Sequence, residues 1–203
     1  MQMPLSALFA GVPTLLPLPA LEAAHITSDT RQVSAGSIFF CIRGFTHDGH
    51  DFAAKALELG AAAVVCERSL DLGGRQILVP DTHEAYALCC ANLFGNPQRR
   101  LRLVGVTGTN GKTTITHLIR DVLQGLGHKT GLIGTIETDL GGVTFPAKYT
   151  TPDPLTFYSI LAQMADAGCE YAVMEVSSHG LDQKRVAGCR FGGGVYQSDA
   201  GPS

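Results

Sequence analysis

Val104-Gly-Val-Thr-Gly-Thr-Asn-Gly-Lys-Thr-Thr114 is the stretch on which the reading of this chain turns. Before it, Leu101-Arg-Leu-Val-Gly-Val106 has the apolar run of a buried strand. After it, a helix from about Lys112 carries Ile115, Leu118, Ile119, Val122 and Leu123 at i, i+3, i+4, i+7 and i+8. Between strand and helix, Gly108 and Gly111 let the backbone wrap closely round an anion, in dihedrals closed to other residues. Successive N–H groups then point inward, at the positive end of the following helix. Gly108, Thr109, Asn110, Gly111, Lys112, Thr113 and Thr114 are the candidate ATP cradle. Lys112 would reach the β- and γ-phosphates, and the Thr113 hydroxyl would ligate Mg²⁺. The glycines depart from G-x-x-x-x-G-K-[ST], whose first Gly would fall at Val106, so the alternative is a Gly-rich turn with an incidental Lys-Thr. The strand before and the amphipathic helix after favour the phosphate loop.

Working outward, a strand at Thr130–Ile133, a hairpin round Gly141-Gly142, a helix at Leu155–Asp166 and a strand at Tyr171–Val176 follow. Strands alternating with helices predict a parallel sheet covered on both faces. Glu175 closes the last of these strands, at the edge where open parallel sheets bind ligands, and is a candidate second Mg²⁺ ligand beside Thr113. Its alternative is a strand-end residue in solvent. Toward the amino terminus, strands at Ser37–Ile42, Ala62–Cys66 and Gln76–Val79 and helices at Phe52–Leu59 and from Asp81 to about Phe94 form a smaller α/β unit. Gly95-Asn-Pro-Gln98 is turn chemistry, and a boundary there gives domains at 1–98 and 99–203. The fold class is α/β: a small substrate-binding domain, then an incomplete parallel-sheet ATPase domain with a phosphate loop.

Composition bounds the function. The 203 residues are 45% hydrophobic and 16% charged, which excludes disorder. Fifteen Lys and Arg against 18 Asp and Glu give net charge −3, no electrostatic footprint for nucleic acid or an anionic membrane. The start is apolar but broken by Pro4, Pro13, Pro17 and Pro19, with no basic leader and no continuous spanning run, so a cytoplasmic protein is the expectation. Six Cys without a C-x-x-C read as buried, reduced thiols. His25, His50, His83, His117 and His128 have no metal spacing and read as structural or exposed.

Gly105-Val-Thr-Gly-Thr-Asn-Gly-Lys-Thr-Thr114 resembles the ATP loop of Mur ligases and the related folylpolyglutamate synthetases. Ser28-Asp-Thr-Arg-Gln-Val33, Gly44-Phe-Thr-His-Asp-Gly-His50, Thr150-Thr-Pro-Asp-Pro154 and Met174-Glu-Val-Ser-Ser-His-Gly-Leu181 are similar to the MurE type, from about residue 25 to 191. The resemblance implies ATP-dependent amide formation through an acyl phosphate, adding the third residue of the peptidoglycan stem peptide to UDP-MurNAc-L-Ala-D-Glu. Diaminopimelate or lysine would be the incoming amino acid, and the full-length protein a monomer. The chemistry needs positioning and charge neutralisation rather than covalent catalysis; Lys112 and Glu175 would carry it.

By the same resemblance, Ser28, Thr30 and the loop Phe45, Thr46, His47 are uridine-nucleotide contacts, with Thr30 where the family has a Ser-like hydroxyl. Ser177, Gln183 and Arg185 match positions that contact the muramoyl peptide. Thr150 and Thr151 would hydrogen-bond a substrate carboxylate or phosphate, or cap the helix that follows Pro152. His179 is divided between ligand contact and structure. After Phe191 the likeness is expected to fail: the family continues to an Asp-His pair and a carbamylated lysine, whereas Gly192-Gly-Gly-Val-Tyr-Gln-Ser-Asp-Ala-Gly-Pro-Ser203 shows neither. A truncated, inactive ligase with an exposed, association-prone sheet edge is therefore the expectation. The alternatives are a non-catalytic nucleotide or UDP-sugar binding module, a sibling ligase of the MurF or folylpolyglutamate type, and a plain P-loop NTPase, which would need a Walker-B Asp that Tyr171–Val176 lacks.

Overall fold

Ile38-Phe-Phe40 and Ala63-Val-Val-Cys66 are too apolar to face water on either side, and both segments are fully buried in the computed structural model, which describes residues 2–197. The chain divides into two units, one up to Leu93 and one from Phe94. The first begins with β1 (Met3–Pro4), α1 (Leu5–Leu8) and β2 (Glu22–Ala23), the two strands paired antiparallel. Its sheet is wholly parallel, with β3 (His25–Thr27), β4 (Ser37–Phe40), β5 (Ala63–Cys66) and β6 (Gln76–Leu78) in spatial order. α2 (Ala53–Glu58) lays Ala53, Ala56 and Leu57 against Phe39, Val64 and Cys66. On the alternate side-chain positions, Phe40 meets Phe9 and Tyr86, ring centroids 6.2 and 4.9 Å apart, beneath α1 and α3 (Thr82–Leu93). Asp81 opens α3 by accepting the Glu84 N–H at 2.8 Å.

The second unit holds β7 (Arg102–Gly108), α4 (Lys112–Gly125), β8 (Thr130–Ile133), β9 (Glu137–Asp139), β10 (Thr144–Pro146), α5 (Pro154–Asp166), β11 (Tyr171–Glu175), α6 (Ser178–Asp182) and β12 (Phe191–Gln197). The sheet order is β10-β9-β8-β11-β7-β12. β8, β11, β7 and β12 are parallel, and the β9–β10 hairpin is antiparallel. β7 crosses to β8 through α4, and the chain returns to β11 through α5, so right-handed crossovers put the two helices on opposite faces. α5 starts at Pro154 behind an Asp153 cap and buries Phe157, Tyr158, Ile160, Leu161 and Met164.

Two expectations change. The apolar stripe of α4 has the expected periodicity, but Leu118 and Val122 are 62% and 54% exposed and only Thr116 is buried. Ile115, Ile119 and Leu123 are half-buried, and Arg120 reaches from α4 to Glu137 of β9 at 2.8 Å, while Thr116 bonds the Thr113 carbonyl within the helix at 3.0 Å. The Gly-rich segment after Phe191 also continues the fold, as β12, paired in parallel with β7. Glycines there cost sheet propensity without removing backbone donors, so the ladder still forms.

Candidate functional site

β7 delivers the chain to Gly108, at φ +147°, and Gly111, at φ +74°, immediately precedes α4. Both conformations favour glycine, which explains their place on either side of Thr109-Asn110. The N-cap residue of α4 is Gly111, which has no side chain to accept from the first-turn N–H groups. Lys112 folds over the loop: its Nζ donates to the Gly108 carbonyl at 2.7 Å and approaches that of Thr109 at 3.4 Å. A strand end, two glycines at positive φ, a fourteen-residue helix with glycine at its N-cap and a lysine across the gap make an anion cradle.

The parallel register sets Glu175 opposite Val106, which brings the end of β11 beside the loop. The Glu175 side chain is 1% exposed, and its carboxylate is surrounded by donors. Oε1 accepts from the Thr113 hydroxyl at 3.0 Å and the Thr135 N–H at 2.8 Å; Oε2 accepts from the Thr135 hydroxyl at 3.0 Å. Gly134 makes this approach possible, since a Cβ there would lie 2.9 Å from Oε1. Sequence reasoning missed Thr135. Its signal was a Gly-Thr pair at the carboxyl end of β8, the same sheet edge that singled out Glu175.

The residues expected to hold the acyl substrate form one network behind Glu175. Thr150 places its Oγ1 3.0 Å from that of Thr135. Thr151 is 1% exposed and fully engaged: its hydroxyl donates to the Glu175 carbonyl at 3.1 Å and accepts the Ser177 N–H at 2.9 Å. It neither caps α5, which Asp153 does, nor opens to solvent; it ties the 150–152 loop to β11. Ser177 caps α6 by accepting the Gly180 N–H at 3.0 Å. Arg185 donates through Nη1 to the Thr151 carbonyl at 2.7 Å, and through Nε and Nη2 to the Gln183 side-chain oxygen at 3.0 and 2.7 Å. Its fork is thus spent on Gln183, while His179 lies exposed on α6.

In the first unit, Ser28 and Thr30 follow β3, and Phe45, Thr46 and His47 follow β4, so both groups leave the same carboxyl edge of adjacent parallel strands. Ser28, Thr46 and His47 are exposed, and Phe45 is 81% exposed. Asp29 accepts the Arg31 N–H at 3.0 Å, and the Arg31 side chain beside it holds its carboxyl below the usual range. His50 is buried: its Nε2 accepts the Glu67 N–H at 3.0 Å, which leaves Nδ1 to donate to Asp48 at 2.6 Å.

Residues 22–92 match the catalytic domain of the Mur ligase family, and residues 106–198 match the Mur ligase middle domain. This chain belongs to the Mur ligase family. The second match corrects the expectation that the likeness ends at Phe191, because it runs through β12. The chain is 46% identical over 187 residues to the UDP-N-acetylmuramoyl-L-alanyl-D-glutamate--2,6-diaminopimelate ligase of Parabacteroides distasonis, across 91% of this chain and 38% of that protein. It is 49% identical over 175 residues to the ligase of the same name from Geobacillus thermodenitrificans, across 86% of this chain and 36% of that one. A solved structure of a ligase so named superposes with TM-score 0.77 at 27% identity, over all of this chain and 42% of its own. The chain therefore spans well under half the length of these relatives.

Among the described residues no group of three or more His, Cys, Asp or Glu gathers as a metal site, and no helix is long and apolar enough to cross a membrane. The loop fits a hard cation bound mainly through phosphate. Thr113 donates its proton to Glu175 and so keeps its lone pairs, and Glu175 adds a buried carboxylate. One hydroxyl and one carboxylate, completed by phosphate and water, suit Mg²⁺.

Proposed function

We propose that this chain supplies the nucleotide- and substrate-binding parts of an ATP-dependent amide ligase that adds diaminopimelate to UDP-MurNAc-L-Ala-D-Glu in the cytoplasm. The observation that carries the reading is the meeting of the Thr113 hydroxyl and the buried Glu175 carboxylate, 3.0 Å apart, at the mouth of an uncapped Gly-rich loop. The loop N–H groups of 108–114 bind the ATP phosphates, and Lys112 leaves the Gly108 and Thr109 carbonyls to pair with them. Thr113 and Glu175 would hold Mg²⁺, which when bound would neutralise charge on the transferring phosphoryl group.

The chain's own contribution is positioning. The carboxylate of the muramoyl dipeptide must lie in line with the γ-phosphate, so that phosphorylation gives an acyl phosphate that an amine attacks with loss of phosphate. Thr151, Ser177, Gln183 and Arg185 make the rigid wall that sets this distance, and Thr150 is its polar front. In the first unit, residues 1–98 by the sequence boundary, Ser28, Thr30, Phe45, Thr46 and His47 receive the uridine nucleotide; the exposed Phe45 ring suits stacking on a base.

Calorimetry with a non-hydrolysable ATP analogue and Mg²⁺ tests the reading on this chain. Lys112→Ala should weaken binding at least tenfold, since it removes a charge-assisted contact. Equal affinity in the variant would refute the cradle. Stabilisation by UDP-MurNAc-L-Ala-D-Glu and not by a folate separates this substrate class from that of the folylpolyglutamate type.

A further inference from the structure

A carboxylate offers about four acceptor positions, and a threonine hydroxyl has one proton to give. Among the described residues three donors converge on Glu175: the Thr113 hydroxyl and the Thr135 N–H on Oε1, and the Thr135 hydroxyl on Oε2. One acceptor position is left, and it is on Oε2. The Thr135 proton must point at Oε2, because a carboxylate oxygen only accepts. Across the 3.0 Å contact between the Thr135 and Thr150 hydroxyls, Thr150 is then the donor. Having given its single proton inward, Thr150 meets anything beyond it with lone pairs alone.

We propose that Thr135 is the positioning residue of Glu175, and that through it Thr150 is held as a hydrogen-bond acceptor. The backbone N–H and the hydroxyl of Thr135 grip opposite oxygens of the carboxylate, which fixes its plane and leaves one directed position on Oε2 for a cation. Gly134 permits the grip, as any side chain there would press on Oε1. Thr150, facing outward as an acceptor, suits an amide N–H or a cation-bound water. It does not suit a carboxylate or phosphate oxygen, the partner expected of it from sequence. The assignment rests on the phosphate-loop reading above and adds to it the atom of Glu175 that serves and the residue that aims it.

The experiment is calorimetry on this chain with a non-hydrolysable ATP analogue, run with Mg²⁺ and again in chelator. Thr135→Val keeps the shape and the N–H but loses the hydroxyl. It should weaken binding in Mg²⁺ about tenfold and leave binding in chelator within twofold, while Thr135→Ser restores the Mg²⁺ value to within twofold. Thr150→Val should lower the Mg²⁺-dependent affinity in the same direction by a smaller factor. Wild-type affinity for Thr135→Val in Mg²⁺, an equal loss in chelator, or failure of Thr135→Ser to rescue would each overturn the assignment while the phosphate loop stands. A wild-type chain that binds no analogue under either condition would overturn both, and Lys112→Ala reports on the loop alone.

Discussion

Asp48 does more for the first unit than its place in a turn suggests. Its Oδ1 accepts the His50 N–H at 3.0 Å and the His50 ring at 2.6 Å, and its Oδ2 accepts from Arg68 at 3.1 Å. Burial works against the charge, but these donors outweigh it and hold the carboxyl far below the usual aspartate range. A depressed folded pKa adds stability that is whole above the unfolded value, near pH 4, and is lost as pH falls through the folded one. Asp48→Ala should cost about 2–3 kcal/mol at pH 7, because it strands the Nδ1–H of the buried His50. Urea unfolding of both proteins from pH 7 down to pH 3 checks this: the gap should hold to about pH 4 and narrow below it. A gap that widens in acid would contradict the assignment. The cysteines sit at the opposite extreme, since burial pushes the Cys41 thiol up to about 12 and that of Cys66 to about 11.

At the scale of the element, α4 and α5 use apolar residues in opposite ways. α5 buries Met164 completely, against Gly131 of β8, so Met164→Ala should destabilise by about 2–5 kcal/mol. Leu118→Gln and Val122→Gln on α4 should each stay within about 0.5 kcal/mol, as both side chains are more than half exposed. Thermal melts of the three variants decide it, and a large loss at Leu118 would mean the stripe is covered. Periodicity made both helices legible because it reports helical spacing. It could not tell how deeply α4 is covered, since Thr116 is its one buried residue and Arg120 is held by Glu137 through a bond that no hydropathy pattern records. The same limit explains the site. Gly108, Gly111, Lys112 and Thr113 are adjacent in sequence and could be read as a loop. Thr135 is 40 residues from Glu175 and became its partner only through the β8–β11 register. β12 escaped notice because Gly192 and Gly193 lack the β-branched signature of a strand, while its ladder to β7 uses only backbone.

At the scale of the whole molecule, each unit places its candidate contacts at the carboxyl ends of parallel strands, and the proposed function gives the two groups of loops separate ligands. That division has a measurable consequence. Ligand binding to the folded state protects the amides it orders, so hydrogen exchange should resolve the two sites independently. The Mg²⁺ complex of a non-hydrolysable ATP analogue should slow exchange at 108–114 and 134–135 and leave 28–30 and 44–47 unchanged. UDP should do the reverse, since it offers the uridine moiety without the dipeptide. The Lys112→Ala chain supplies the internal comparison: it should lose the first pattern and keep the second, because the residues after β3 and β4 belong to the sheet of the other unit. If UDP instead protected only 108–114, its diphosphate would be competing for the ATP cradle. The uridine assignment of Ser28, Thr30, Phe45, Thr46 and His47 would then fall while the cradle stood.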